Sequence, residues 1–448
     1  MTTLALARLF ARRAGGDAST VVLPAVAFAV VTLCTTVVTG GVFAFFTFAG
    51  QNGSTYRMLA LLALVLLVIP LASLGGAAAR LAARRRDERL SSLRLLGAST
   101  GLVSALTVLE STVVALAGAV IGAIASLGAL PLFGLLHFDG RALGGAIWPP
   151  AWVFFAVIGG VALLSAVSAA IGLRAVVLTP LGVRTRVVSA GVKWLRAGIA
   201  AGVLVIAVAI SSSLNAFAQI GGLILVIAVL LCGFGAVLSM LGLVGPLVLR
   251  GFGRRWLKRA SGPAQLIAAR TVLHDVKGAW RQVGALALVS FVAVFTGIGV
   301  AFTHVMGSED AASRLLAADI RTGVILTLVM SFAMVACAIG VNQAAGILDR
   351  RSLYVSLDRI GMPFTVMDSA RRRAVLAPLL VVTVGSATAA ALVLFPLTGY
   401  TLLLQPLGLA VIAGCLALGI GLVWAGLAAT RPVLRRVVGE ASATLPDR

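Results

Sequence analysis

VVLPAVAFAVVTLCTTVVTGGVFAFFTF, residues Val21 to Phe48, holds no charged side chain in 28 positions. Crossing about 30 Å of hydrocarbon takes roughly 20 apolar residues in a helix. The stretch is long enough to span, and too long for the apolar part of a secretory signal, roughly 7–15 residues. Arg8, Arg12 and Arg13 precede it. It reads as a first membrane helix with the N-terminus inside.

Nine further runs of this kind follow: Met58–Leu81, Leu102–Ala129, Ala151–Leu173, Gly198–Leu214, Gly221–Leu249, Val283–Val305, Val324–Leu348, Val375–Phe395 and Leu407–Thr430. The 448 residues are 60% hydrophobic and 11% charged, with a mean hydropathy of +1.10. Soluble domains run nearer ~45–50% apolar and ~25% charged. These values exclude a water-soluble fold, and disorder, which needs low hydrophobicity. The expected fold is all-α and polytopic, with about ten transmembrane helices.

The net charge is +22. It comes in short basic clusters between the apolar runs, as membrane insertion demands, and not in a nucleic-acid-binding stripe. With the N-terminus inside, the outer segments are 49–57, 130–150, 215–220, 306–323 and 396–406. They hold only Arg57, Arg141, Arg314 and Arg321 of the 36 basic residues. Both termini then lie in the cytoplasm, at the cell membrane, and anionic lipid head groups are the expected counter-charge. No nucleic acid is expected as a partner. The outer loops are too short for a separate extracellular domain, which takes about 50 residues or more. Cys34, Cys232, Cys337 and Cys415 all lie within apolar runs, without paired spacing, and read as small hydrophobes.

Two inner segments resemble each other. Ala83–Ser99 is ARRRDERLSSLRLLGAS, and Asp349–Pro363 is DRRSLYVSLDRIGMP. A shift of 264 residues pairs Arg86 with Arg350, Leu93 with Leu357, Leu96 with Ile360 and Gly97 with Gly361. Upstream, Leu4–Phe10 resembles Leu266–Val272, pairing Arg8 with Arg270. Arg12 and His274 recur four positions on, on the same helix face, which suits a helix lying in the membrane interface. The implied organisation is 4+2+4: a first four-helix repeat at 1–177, two linking helices at 178–260, and a second four-helix repeat at 261–448. Both repeats start inside and have even helix counts, so they are parallel. Each inner segment is a short amphipathic helix closed by a glycine. A single such segment would be a basic collar for lipid; two at equivalent places suit docking of a partner with two-fold symmetry.

RRRDERLSSLRLLGAS, followed by a helix with Glu110 in LTVLES, resembles the signature of FtsX-like permeases, the membrane subunits of type VII ABC transporters. Arg85, Arg86, Glu88, Leu93, Arg94, Leu96, Gly97 and Ala98 carry the likeness. It covers helices two to four (core about 58–177) and, more weakly, eight to ten (core about 324–432). In the second copy Ser352 replaces the Glu, Asp358 replaces the Arg, and Pro363 follows the Gly by two residues. The resemblance implies that two copies of a separate cytoplasmic ABC ATPase, carrying ATP and Mg, dock on Arg85, Arg86, Glu88, Leu93, Arg94 and Gly97 in one segment. In the other segment they dock on Arg350, Leu357, Asp358 and Gly361. Rocking of the two blocks would then export or extract a small amphiphilic substrate, such as a drug, peptide or lipid. The alternative is an ATP-driven regulatory module that signals to a partner without transport. Such modules, like the family's tripartite pumps, use large outer domains that this chain lacks room for.

Other motifs carry less. Gly97-Ala-Ser99-Thr-Gly101 matches G-x-S-x-G, but a helix precedes it where a nucleophile elbow needs a strand. There is no G-x-x-x-x-G-K-[ST], so the chain is not expected to hydrolyse ATP or to hold a cofactor. His137, His274 and His304 are scattered, which does not suit a metal site. Glu110 falls near the inner end of the third run, where an acid costs less than at the bilayer centre. It reads either as an Arg partner or as part of a coupling hinge. Gly118-Ala-Val-Ile-Gly122 reads as a close helix-packing surface.

Overall fold

The computed structural model describes residues 18–48, 53–84, 100–177, 214–305, 311–398 and 406–443, with a few positions between 198 and 209. Helices account for nearly all of them. Their sequences are dominated by Leu, Val and Ala, and in lipid a helix satisfies every backbone group internally. In chain order they are α1 (Ala18–Phe46), α2 (Gly53–Arg84), α3 (Thr100–Gly134), α4 (Ala151–Val177), α5 (Leu214–Lys258), α6 (Pro263–His274), α7 (Val276–Val305), α8 (Ala311–Asp349), α9 (Arg351–Arg359), α10 (Phe364–Thr398), α11 (Pro406–Ala429) and α12 (Arg431–Ala443). Among the described residues nine helices are long and apolar enough to cross a membrane, and the chain is an all-α polytopic membrane protein. Each overlaps one of the apolar runs read from the sequence. The tenth run, Gly198–Leu214, lies mostly outside the described residues.

The chain separates into two compact units, 1–186 with 333–346, and 187–332 with 347–448. In the first, α1 packs along α2 and α3, and α3 along α4. The α1–α3 seam depends on two glycines. A Cβ at Gly118 or Gly122 would run into the backbone carbonyls of Ala25 and Ala29. The helices approach so closely only because small residues line the contact. Phe28 of α1, Leu74 of α2 and Leu130 of α3 are fully buried in this unit. The Ser165 hydroxyl donates to the Ser111 carbonyl across the α3–α4 contact at 3.2 Å.

At one end of this unit the expected loop 130–150 is ordered. Helix α3 runs on to Gly134, and the chain then makes a two-residue hairpin, β1 (His137–Phe138) with β2 (Arg141–Ala142), and a 3₁₀ turn at Gly144–Ile147. Asp139 and Gly140 both have positive φ, 54° and 72°. That is the tight hairpin turn for which Asp-Gly is a preferred pair. The hairpin delivers Phe138 edge-on to Phe45, with centroids 5.0 Å apart. Phe45 also stacks with Tyr56, and Arg57 donates to the Phe48 carbonyl at 3.2 Å.

The second unit is built on α5, α7, α10 and α11. Val237, Phe291, Val294, Ala390 and Leu394 form its core, with Ile412 against it. Helix α5 has 45 residues, about twice what a bilayer requires, so its basic end (Arg254, Arg255, Lys258) extends past the apolar run. Helix α6 is the expected short amphipathic segment. Pro263 opens it, as suits a first helical position. Ala268, Ala269 and Val272 are buried, while Arg270 and His274 are exposed one turn apart. Asp275 ends it, and its carboxylate accepts the Gly278 N–H at 2.8 Å to start α7. Helix α8 begins at Ala311, earlier than the apolar run suggests, and takes in Arg314 and Arg321.

Candidate functional site

The short helix α9 and the helix ends around it form the most chemically distinctive region of the described chain. Its sequence, RSLYVSLDR, places Tyr354 on one face and Leu353, Leu357 and Ile360 along another at i, i+4, i+7. Tyr354 turns inward and packs with Phe364 and Leu348 against Ile347, Leu434 and Val437. Burial pushes its phenol pKa up, Arg371 and Arg350 draw it back, and Asp368 adds to the rise. The phenol is therefore protonated at neutral pH. The other face is open: Leu353 is 49% and Ile360 74% exposed. Leu353 on the nine-residue helix and Ile360 at its C-cap are thus left outward.

The end of α9 is fixed by its sequence. Gly361 has φ +80°, a left-handed conformation that costs L-residues with a Cβ. Its N–H donates to the Asp358 carbonyl at 2.8 Å, and the Met362 N–H to the Leu357 carbonyl at 3.0 Å. This double closure is the Schellman pattern. Pro363 follows, and its carbonyl accepts the N–H groups of Val366 and Met367 at the start of α10. The proline that departs from the first copy's pattern is thus the residue that turns α9 into α10.

Below α9 lies a charged cluster that the sequence reading passed over. Asp368, one turn into α10, is buried. Arg371 Nη2 reaches it at 2.9 Å, Arg372 pairs with its other oxygen, and Arg431 stands 3.6 Å away. Arg371 also donates to the Thr430 hydroxyl and, at 3.2 Å, to the Leu427 carbonyl. One carboxylate therefore ties α10 to the junction of α11 and α12. Arg431 and Arg435 lie over the Phe364 ring at 5.9 and 5.7 Å, within cation–π range. The signal was present in the sequence as D-x-x-R-R, acid and bases at i, i+3 and i+4. It was hidden because Arg431 and Thr430 come from some 60 residues on.

Of the residues expected to couple to a partner, Arg350, Leu357, Asp358 and Gly361 come together at α9. Arg350 precedes its first turn and is exposed; Leu357 and Asp358 are half-buried. Arg85, Arg86, Glu88, Leu93, Arg94 and Gly97 lie outside the described residues. Glu110 is exposed on α3, within the first turn of the span Val108–Gly134.

A bundle of long apolar helices with a short amphipathic helix between two spans defines a polytopic membrane protein. Residues 57–180, under a third of the chain, match the family model described as FtsX-like permease C-terminal. Members are membrane subunits that generally pair with ABC ATPases and are generally not catalytic themselves. No curated protein and no solved structure matches the chain.

Proposed function

We propose that this chain is the permease subunit of an ABC transporter. Two separate cytoplasmic ATPase subunits, binding ATP and Mg, drive export or extraction of an amphiphilic substrate: a drug, a peptide or a lipid. The observation that carries the reading is the match at 57–180, together with the exposed Leu353 and Ile360 of α9, which follows a span as the segment 83–99 does. The ATPases would seat on α9 and on segment 83–99. The cluster at Asp368 would carry that force to the spans, because α9 leans on α10 and α12 through Tyr354. The four-helix repeats at 1–177 and 261–448, with the helices between them, would be the moving blocks, and the termini would be cytoplasmic.

The outer connections favour transport over signalling to an external partner. The α3–α4 connection is a two-residue hairpin and a single 3₁₀ turn. The α1–α2, α7–α8 and α10–α11 connections are each shorter than ten residues, so none offers a receptor-sized surface. The purified chain alone should hydrolyse no ATP, lacking a phosphate-binding glycine loop and its lysine. With its ATPase partner in proteoliposomes, ATP should drive movement of an amphiphile. Turnover by the isolated chain would sink the reading; coupled ATPase activity without transport would favour the regulatory alternative.

A further inference from the structure

We infer that Arg431 and Arg435, organised by Phe364, form a binding site for the phosphate of an acidic phospholipid. The first reason is charge. Among the described residues Asp368 is the carboxylate that pairs with Arg371, Arg372 and Arg431, so three guanidiniums share one acid. Arg435 brings a fourth to the same ring. The Nε of Arg371 is buried without a hydrogen-bond partner, and that of Arg431 faces Asp368 at 3.6 Å without bonding it. Three guanidiniums on one carboxylate leave a net positive cluster at a helix junction, which a further anion would balance.

The second reason is depth. Phe364 begins the span Phe364–Phe395, and Arg431 follows directly on the apolar helix α11. Both lie at the charged ends of apolar helices, where hydrocarbon would give way to head groups. The third is presentation. Arg431 keeps 43% of its side chain exposed while Asp368 anchors it, and Arg435 is exposed one turn further along α12. Two guanidiniums held over one ring offer forked donors to phosphate oxygens, and the lipid's acyl chains would run along α10 and α11. A protein partner is disfavoured here, because the exposed aliphatic side chains are on α9 while this surface offers guanidiniums. The inference stands apart from the coupling proposal.

The test is thermal unfolding of the purified full chain in mild detergent with added phosphatidylglycerol, phosphatidylcholine or inorganic phosphate. Phosphatidylglycerol should raise the melting midpoint of the wild type; the other two should not. Arg435→Gln should lose more than half of that rise. Arg141→Gln, on the hairpin of the first unit, should keep it. Arg431→Gln should lose the rise too; if it fails to fold, Arg435→Gln, altered at an exposed side chain, decides the matter. Full retention in Arg435→Gln overturns the inference. So does equal loss in Arg141→Gln, which would mean diffuse charge, or an equal rise with inorganic phosphate, which would mean a free-anion site. Loss of ATPase co-purification with an unchanged lipid response would reassign the surface to a protein contact.

Discussion

Asp368 shows how one carboxylate can carry several helix ends. Its side chain and that of Arg371 are each 3% exposed. Removing one partner of a buried pair leaves the other's charge uncompensated, at about 3–5 kcal/mol. Asp368→Asn should therefore lower the thermal midpoint of the detergent-solubilised protein well beyond the effect of Asp139→Asn. Asp139 pairs with Arg141 at 3.4 Å on an exposed hairpin, and such surface pairs contribute about 0–1 kcal/mol. Equal effects would mean that the Asp368 cluster is incidental. Gly361 is a second test. Only glycine takes φ +80° without cost, so Gly361→Ala should destabilise by about 1–2 kcal/mol, whereas Gly101→Ala, in helical backbone with open space around its Cα, should be neutral or mildly stabilising. At this scale the sequence was legible where chemistry is local. The glycine after an amphipathic turn was readable from spacing; the Arg371–Thr430 contact was not, because it joins positions far apart in the chain.

Elements were legible by apolar run length, and their edges were not. Charge-poor runs marked the cores of the spans. The structure lengthens several of them: α8 takes in Arg314 and Arg321, and α10 starts at Phe364, ahead of Arg371–Arg373. Helical hydrogen bonding continues past the apolar core while water or an ion pair can satisfy the side chains, so charge marks the bilayer edge and not the helix end. The hairpin at 137–142 went unread as an element, although Asp139-Gly140 is its turn signal. The two amphipathic segments differ in a way that can be measured. The first carries Glu88 and Arg94; the second has Ser352 and Asp358 at those places, and offers Leu353 and Ile360 instead. Losing one partner of a buried interfacial charge pair costs about 2–5 kcal/mol, whereas a rim charge costs little. Glu88→Ala or Arg94→Ala should therefore weaken co-purification of the ATPase more than Asp358→Ala does, and Ile360→Asp should weaken it through lost apolar contact. Equal effects of the three charge changes would remove the asymmetry. No effect from any of the four would return both segments to a basic collar for lipid.

For the whole molecule, composition decides the class before any element is placed. At 60% hydrophobic and 11% charged the chain must be solvated by lipid. Substrate identity was not legible, because apolar runs of Leu, Val and Ala carry no directional chemistry. Orientation is the property on which the partner proposal depends, since a soluble ATPase can reach α9 only from the cytoplasm. Insertion energetics favour keeping Lys and Arg in short loops on the inner side, and only four of 36 basic residues fall in the segments assigned outward. The native cysteines lie within apolar runs, so a cysteine-free background should be reachable by small apolar replacements. In that background, single cysteines at Asn52, Asp139 or Ser308 should react with a membrane-impermeant maleimide added to intact cells. Asp139 offers the firmest reading because it sits at the tip of the β1–β2 hairpin. Cysteines at Ser91 or Ser356 should react only after permeabilisation; Ser356 is exposed on α9, so lack of reaction in intact cells would report the membrane barrier and not burial. Labelling of Ser356→Cys from outside would place α9 on the wrong side for any cytoplasmic ATPase, and the coupling proposal would fall with it.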